Sequence, residues 1–438
     1  MERSLYKKLV QWKKKKYRRP LILRGARQVG KTWLLTSFGN NEFANTHTIN
    51  FEKQPSACSL FDGDLTPDFL LKNLELYLEQ SINPQHDLIF FDEIQDCPRA
   101  LTSLKYFAEE LPVQAVCCAG SHIGLSMAEA SFPVGSIDTL TLYPMTFREY
   151  LYAKQESLIE VLDAPPPIAQ AFHNRLWDEL KTYYFVGGMP EAVQSLINHG
   201  AVSHNAFESV REIQSRLILG YQADFAKHSG KINAAHINRV FNNIPEQISH
   251  TIDDSSVSRY RFKEAVPGLS KFSQLAGPID WLIQAGLILP VYIVNFPAIP
   301  LRSRKKINTF KLFLFDIGIL GAMAGLSVQN IMAQDFGTYK GFMAENYAAQ
   351  ELITSGFSEL YSWKGKTSEI EFILDLAGKI IPVEVKSGTR ISRAKSLSVY
   401  REKYKPEEEV IVSALPEKTS GKRKYLPLYK TASIPEVF

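Results

Sequence analysis

Gly25 to Thr32 reads G-A-R-Q-V-G-K-T, directly behind the apolar run Leu21-Ile22-Leu23 and ahead of the helix-competent stretch W-L-L-T-S-F. Small residues let successive backbone N–H groups converge on an anion, so Gly25, Ala26, Arg27, Gln28, Val29 and Gly30 form a candidate phosphate cradle. Lys31 has the reach for β- and γ-phosphates, and the Thr32 hydroxyl is a candidate magnesium ligand; Trp33, just inside the helix, completes the nucleotide contacts. An octet of this kind can also be an ordinary glycine turn. The strand before it and the helix after it favour the phosphate reading.

A second motif, Leu88-Ile89-Phe90-Phe91-Asp92-Glu93, has the continuous apolar run of a strand buried on both faces of a parallel sheet. Its carboxylates stand at the C-terminal end, where open α/β sheets bind ligands. Asp92 would hold magnesium through water, and Glu93 would orient or deprotonate the attacking water. Alone, such a pair is as readily an acidic cap on the next helix. Paired with the phosphate loop, it predicts nucleoside triphosphate hydrolysis. A third strand end, Ala119-Gly120-Ser121-His122, could bring a polar group to the γ-phosphate or the water, with Ser121 the better candidate and His122 its partner.

Further along, Glu369-Ile370-Glu371-Phe372-Ile373-Leu374 and Ile381-Pro382-Val383-Glu384-Val385-Lys386 read as neighbouring strands. Period-two alternation sets Glu384 and Lys386 on one face. Carboxylates from adjacent strands plus a lysine are what metal-assisted phosphodiester hydrolysis needs. Glu371 and Glu384 would hold a divalent cation, Mg²⁺ or Mn²⁺, beside Glu345 on the helix G-F-M-A-E-N-Y, and Lys386 would orient water or offset developing charge. Charged residues on the open face of a small sheet are also commonplace, so spacing alone leaves both readings standing.

The elements that must position these groups follow from pattern. Strands are expected at Leu21–Arg24, His47–Phe51, Leu88–Phe91, Val113–Ala119 and Asp138–Leu142, with helices near Pro67–Gln80 and Arg99–Glu110, which is an α/β, doubly wound parallel sheet. From Tyr143-Pro144-Met145-Thr146-Phe147 the chain turns helical past Gly230, interrupted by Gly187-Gly188-Met189-Pro190, where Pro190 starts a helix. A helical unit closing on Ala285-Gly286, followed by alternating apolar residues and R-S-R-K-K, suits a winged helix.

At 438 residues the chain is too long for one core. No stretch approaches the ~20 apolar residues of a transmembrane helix. The first residues, M-E-R-S-L, lack the apolar region of a secretory signal, and four cysteines without a C-x-x-C pair read as reduced core residues, so a cytoplasmic protein is expected. The net charge is only +4, yet basic residues cluster at Lys7 to Arg19, at Arg302 to Lys306 and at Lys422 to Lys424. Any one cluster suits a solvated face. Three together raise contact with nucleic-acid phosphates.

The motifs together resemble the bacterial and archaeal family of AAA+-type P-loop ATPases joined to a C-terminal domain of unknown function with a restriction-endonuclease-like core. The resemblance is carried by L-I-L-R-G-A-R-Q-V-G-K-T, L-I-F-F-D-E-I-Q, Y-P-M-T-F-R-E-Y-L, Y-F-V-G-G-M-P-E-A-V, K-L-F-L-F-D-I-G-I-L, the Lys340–Tyr347 helix, and E-I-E-F-I-L with I-P-V-E-V-K-S-G. It implies an ATPase core (1–145), a helical lid (146–230), a winged helix (231–308) and a nuclease-like α/β domain (309–438). It also implies that Pro190 touches adenine, by analogy with the Gly-x-Pro turn of signal-transduction ATPases. Two positions depart from the family pattern. Ser136 follows Gly135 where a basic residue is usual, and Glu371 stands where the strand usually carries Asp.

The expected function is an ATP-binding and ATP-hydrolysing switch, using ATP and Mg²⁺, whose nucleotide state moves the remaining domains. The alternative is an ATP-regulated, metal-dependent nuclease. Expected partners are ATP and ADP, nucleic acid with DNA ahead of RNA, no membrane, and a second copy of the chain.

Overall fold

Five short apolar runs pair as one wholly parallel sheet: β1 (Leu21–Arg24), β2 (Thr46–Asn50), β3 (Leu88–Asp92), β4 (Ala115–Ala119) and β5 (Asp138–Thr141), in the order β2-β3-β4-β1-β5. The computed structural model describes residues 2–121, 135–250, 259–333, 339–366, 368–389 and 395–438. The expected strands are all present, with ends shifted by one or two residues. On one face, Ile22, Ile49, Phe91, Val116 and Cys118 pack against Phe61, Leu70, Leu104 and Phe107 from short helices. Helix Lys31–Glu42 buries Leu34, Leu35 and Phe38. Tyr6 and Trp12 of helix Tyr6–Lys13 stack edge-on or tilted against Phe38. All four cysteines are free thiols, with Cys97, Cys117 and Cys118 buried.

This sheet belongs to the first of two compact units, residues 1–143 with 284–286; residues 144–283 and 287–438 form the second. The second unit opens with helix Phe147–Lys154, started by a capping box in which Thr146 and Glu149 satisfy each other's backbone N–H groups. Helices Gln170–Val186, Pro190–Asn198, His204–Ser229 and Lys231–His250 follow. The unit also holds β6 (Ile288–Val294), β7 (Lys305–Leu314), β8 (Leu360–Lys364), β9 (Glu369–Leu376), β10 (Lys379–Val385), β11 (Glu409–Ser413), β12 (Lys418–Ser420) and β13 (Arg423–Pro427). They form a single sheet ordered β12-β13-β11-β10-β9-β8-β6-β7.

That topology bears on the expected winged helix (231–308) and on the segment expected to begin at residue 309. Strand β7 runs straight across it, and the β6-β7 pair, expected as the wing of a separate module, is the end of the terminal sheet, because β6 pairs in parallel with β8. The physical reason is burial: Ile288, Leu289, Val291, Ile293 and Val294 are all covered, so β6 needs neighbours on both edges and both faces.

The second unit is knotted by buried polar bonds around Gly187-Gly188. Asp316, fully buried, caps helix Ile317–Met323 by accepting from the Ile319 N–H at 2.9 Å and accepts from the Gly188 N–H at 2.6 Å. Burial pushes its carboxyl up to about 6 while these N–H bonds pull it down. The Met145 N–H donates to the Gly188 carbonyl at 2.7 Å. From helix Tyr339–Thr354, Gln350 donates to the Tyr183 hydroxyl at 2.7 Å, Gln350 Oε1 accepts from the Ile317 N–H at 3.0 Å, and Glu351 accepts from the Phe147 N–H at 3.0 Å. A Cβ on Gly188 would lie 2.1 Å from the Met145 carbonyl oxygen, so only glycine permits this approach.

Gly188→Ala should therefore lower unfolding stability by about 2–4 kcal/mol, since the obstacle is backbone and cannot swing aside. Gly220, inside helix His204–Ser229 with nothing within 4 Å of an added Cβ, supplies the contrast. Gly220→Ala should raise stability by about 0.5–1 kcal/mol. Urea melts of both variants and the parent check the pair.

Candidate nucleotide site

The sheet order determines what can meet at its C-terminal edge. Strand β4 lies between β1 and β3, with Ala119 in register with both Leu23 and Asp92. The phosphate loop leaves β1, the carboxylates leave β3, and buried Ser121 follows β4 between them. His122 lies outside the described residues.

The loop is held from below. A Cβ on Gly25 would sit 2.1 Å from the Leu142 carbonyl oxygen, and the backbone of Gly25 has φ +147°. Buried Arg3 donates from Nη1 to the Val29 carbonyl at 2.9 Å and from Nη2 to the Tyr143 carbonyl, bracing the loop against the end of the sheet. Ala26, Val29 and Lys31 are buried, Arg27 and Gln28 face solvent, and Trp33 is about half exposed on the first turn of its helix. Gln28 takes a left-handed conformation, φ +68°, at the tip.

Lys31 Nζ donates to the Gly25 and Ala26 carbonyls at 3.0 and 2.8 Å. Burial lowers its ammonium to about 8, although Glu93 and Asp92 favour the charge. The group is thus folded over its own loop and short of negative charge, which is the electrostatic condition for accepting a phosphate.

Asp92 is the meeting point. The Thr32 hydroxyl lies 3.1 Å from both of its carboxylate oxygens, and Asn50 Nδ2 donates to Oδ2 at 2.9 Å. Burial and the neighbouring Glu93 raise the Asp92 carboxyl, opposed by the Asn50 and Thr32 hydrogen bonds. A hydroxyl and a carboxylate this close are oxygen donors suited to Mg²⁺, which takes one or two protein ligands plus phosphate oxygens. Glu93 turns out of the strand in a left-handed conformation, φ +50°, and Gln95 Nε2 holds its Oε2 at 2.7 Å. A non-glycine residue in that region is strained, and such strain concentrates at functional sites. Asn50 and Arg3 belong to no recognisable motif, whereas Gln95 closes the L-I-F-F-D-E-I-Q stretch with nothing to single it out. The one signal for Asn50 is its place near the end of the expected strand His47–Phe51; in the structure it closes β2 level with Asp92, its register partner.

Pro190, the remaining expected nucleotide contact, lies in the second unit. It opens helix Pro190–Asn198 directly after the Gly187-Gly188 knot.

The terminal residues converge as well, around two lysines. Lys386 Nζ lies 2.8 Å from Glu384 Oε1 and 4.0 Å from Glu371 Oε1, while Glu371 Oε2 accepts from the Val385 N–H at 3.1 Å. Glu345 pairs instead with buried Lys311 at 3.0 Å, and Lys311 also contacts Glu369. Burial opposes the Lys311 charge, but Glu345, Glu369 and Glu371 outweigh it and raise its pKa. Burial is also the main cause that raises the Glu371 carboxyl. Among the described residues no three His, Cys, Asp or Glu side chains are grouped to hold a metal ion. Ammonium groups partner the carboxylates expected as metal ligands. Lys311 carried a visible signal, a lysine inside the apolar run K-L-F-L-F.

The depressed Lys31 makes stability depend on pH in a defined sense. Between about 8 and its ordinary 10.5 the unfolded chain keeps a proton that the folded chain has lost, so stability rises with pH across that window. Without nucleotide, the parent should gain on the order of 3 kcal/mol relative to Lys31→Met over that range. Urea unfolding of both proteins at several pH values reads the difference directly.

Residues 17–151 match the model of the AAA domain. Residues 178–330 and 340–430 match two domains of unknown function, DUF8612 and DUF4143. No curated protein matches the chain. Among solved structures the chain is similar to the Walker-type ATPase of Pyrococcus abyssi, with 16% identity over 74% of this chain and 95% of that chain and a TM-score of 0.43. It is similar to the ORC1 protein of Aeropyrum pernix in complex with DNA, with 13% identity, 76% and 90% coverage and a TM-score of 0.30. AMPPCP-bound DnaA of Aquifex aeolicus shows 12% identity, 64% and 86% coverage and a TM-score of 0.28. No helix among the described residues is long and apolar enough to cross a membrane. Residues 17–151, the segment that holds the Gly25–Thr32 loop, the Asp92–Glu93 strand end and the parallel sheet that aligns them, thus have the fold of an AAA-type P-loop ATPase domain.

Proposed function

We propose that the protein is an ATP-driven switch. The observation that carries this reading is the junction at Asp92, where Thr32 from the loop helix and Asn50 from β2 meet one buried carboxylate beside an under-compensated Lys31. ATP binding draws Lys31 off the Gly25 and Ala26 carbonyls and onto the β- and γ-phosphates, while the loop N–H groups from Ala26 to Thr32 close on the remaining oxygens. Thr32 and Asp92 would hold Mg²⁺, which when bound offsets charge on the β- and γ-oxygens. Glu93, oriented by Gln95, accepts the proton of the attacking water; Ser121 hydrogen-bonds to that water or to the γ-phosphate. Pro190, which the resemblance assigns to adenine, opens the helix that begins at the Asp316-bonded Gly188 turn.

A metal-dependent nuclease, with Glu345, Glu371 and Glu384 as ligands and Lys386 as water-orienting group, is favoured by one observation: Glu384 Oε2 is buried without a hydrogen-bond partner among the described residues. The two lysines that balance the carboxylates weigh against it, and the switch is the reading the geometry supports best.

Lys31→Ala should abolish tight ATP binding. Glu93→Gln should keep ATP binding and slow hydrolysis by ~10²–10³-fold, the range for loss of a positioned base. Equilibrium binding of a fluorescent ATP analogue with single-turnover phosphate release checks both; hydrolysis at the parent rate in Glu93→Gln would remove Glu93 from the role. Metal-dependent DNA cleavage by the parent that is lost in Glu384→Ala would establish the nuclease instead.

A further inference from the structure

The three basic clusters differ once their partners are known. In the first, Lys13 pairs with Glu42 at 3.3 Å and Lys15 with Asp138 at 2.7 Å, while Arg18 donates to backbone carbonyls. In the second, Lys305 and Arg302 both face Glu359, at 2.6 and 3.9 Å. The third is built differently. Glu409 on β11 is buried and level with Arg423 on β13, its register partner. Arg401, from helix Lys395–Tyr404, binds the same carboxylate through Nε at 3.0 Å and Nη2 at 2.5 Å; Arg423 binds it through Nε at 2.6 Å and donates from Nη1 to the Tyr425 hydroxyl at 3.2 Å.

One carboxylate thus orients two guanidinium groups. Around them lies an open concavity of about 360 Å³ completed by Ser420, Lys422 and Tyr425. Lys418, on the exposed edge strand β12, lies over the Tyr425 ring at 4.7 Å. Four cations face the Glu409 carboxylate, and Glu407 acts on Lys422 from beside the concavity. Neither Lys418 nor Lys422 has an ion-pair partner among the described residues.

We propose that this concavity is a phosphate-binding site for the backbone of a nucleic acid. Guanidinium N–H groups, an ammonium and a hydroxyl arriving from different directions suit tetrahedral phosphate oxygens better than a flat carboxylate. Pre-orientation by Glu409 removes most of the ordering cost that free arginines would carry. The site lies on an open sheet edge, so a chain of phosphates can pass through it and continue along Lys418. Its cations are spaced around one carboxylate on an open sheet edge, which suits contact with backbone phosphates. This site goes beyond the ATP reading and does not depend on it.

The test is fluorescence anisotropy of a labelled duplex DNA with the full-length protein, without nucleotide, across a salt series from about 50 mM. Lys422→Glu is the principal variant, because that side chain is exposed and holds nothing in the fold. It should weaken binding by roughly ten-fold at low salt and reduce the log–log salt slope by about 1. Arg401→Lys, which keeps the charge at Glu409 but loses the fork, should weaken binding by a smaller factor with the slope unchanged. Lys105→Glu, on the exposed face of helix Pro98–Glu110, should bind like the parent. Lys31→Ala should also bind like the parent, which separates this site from the ATP reading. The proposal is overturned by an undiminished affinity in Lys422→Glu, by an equal loss in Lys105→Glu, or by no binding of the parent at low salt. Saturable binding of inorganic phosphate that is lost in Lys422→Glu, with DNA binding undiminished in that variant, would overturn it in favour of a small-anion site, and binding of phosphatidylserine vesicles lost in Lys422→Glu, with DNA binding undiminished, in favour of a lipid surface.

Discussion

A buried ammonium without a carboxylate in contact is costly, and the first unit is organised around tolerating one. Lys31 is 7% exposed and bonded only to carbonyls of its own loop. The loop can offer those carbonyls because its backbone is bent beyond what most residues accept, at Gly25 and again at Gln28. The bend survives because Arg3 clamps the Val29 carbonyl and the Leu142 carbonyl closes the space behind Gly25. Asp92 and Glu93 favour the charge electrostatically without touching it, and Thr32 and Asn50 hold Asp92 in place. The site is therefore strained and electrically incomplete by construction, and an anion with several oxygens relieves both conditions.

The second unit solves a related problem with the opposite charge. Asp316 and Glu351 are fully buried carboxyls, and each is bonded to backbone N–H groups in place of a cation. Burial pushes them up, to about 6 and about 8. At physiological pH Glu351 is mostly protonated while Asp316, held by several N–H donors, is mostly ionised, and both act as hydrogen-bond fixtures between segments far apart in the chain. The Gly187-Gly188 turn is fixed by Asp316 and Met145 together, so displacement of the helix that Pro190 opens must break or carry these bonds.

Legibility from sequence followed the range of the interactions involved. The five strands of the first sheet and the Asp92–Glu93 end were readable, because a fully buried parallel strand leaves an apolar run and a phosphate loop leaves a fixed spacing. Asn50 and Arg3 were not, since a polar residue at a strand or chain end is ordinary until its partner is known, and Gln95 stood in the quoted L-I-F-F-D-E-I-Q stretch with nothing to mark its bond to Glu93. The joined sheet of the second unit was hidden for a topological reason. Val291 pairs with Leu360, and nothing local in either strand announces so distant a neighbour. The terminal glutamates and Lys386 were found and do converge, but the sequence pattern carried no sign that Lys311 would pair with Glu345 and Glu369.

Charge shows the same limit most plainly. A net +4 and three basic runs describe the chain equally whether the cations are consumed inside the fold or left to solvent. The counter-charges decide, and they come from far along the chain: Glu42 for Lys13, Asp138 for Lys15, Glu359 for Lys305. In the third cluster the buried Glu409 sits between two arginines and satisfies neither completely, since each guanidinium has five N–H donors and one carboxylate cannot accept them all. A carboxylate shared in this way works as a mount for positive charge, and what it mounts faces outward. Each run therefore mixes paired and solvent-facing cations, and what sets the third apart is that the buried Glu409 orients two guanidinium groups.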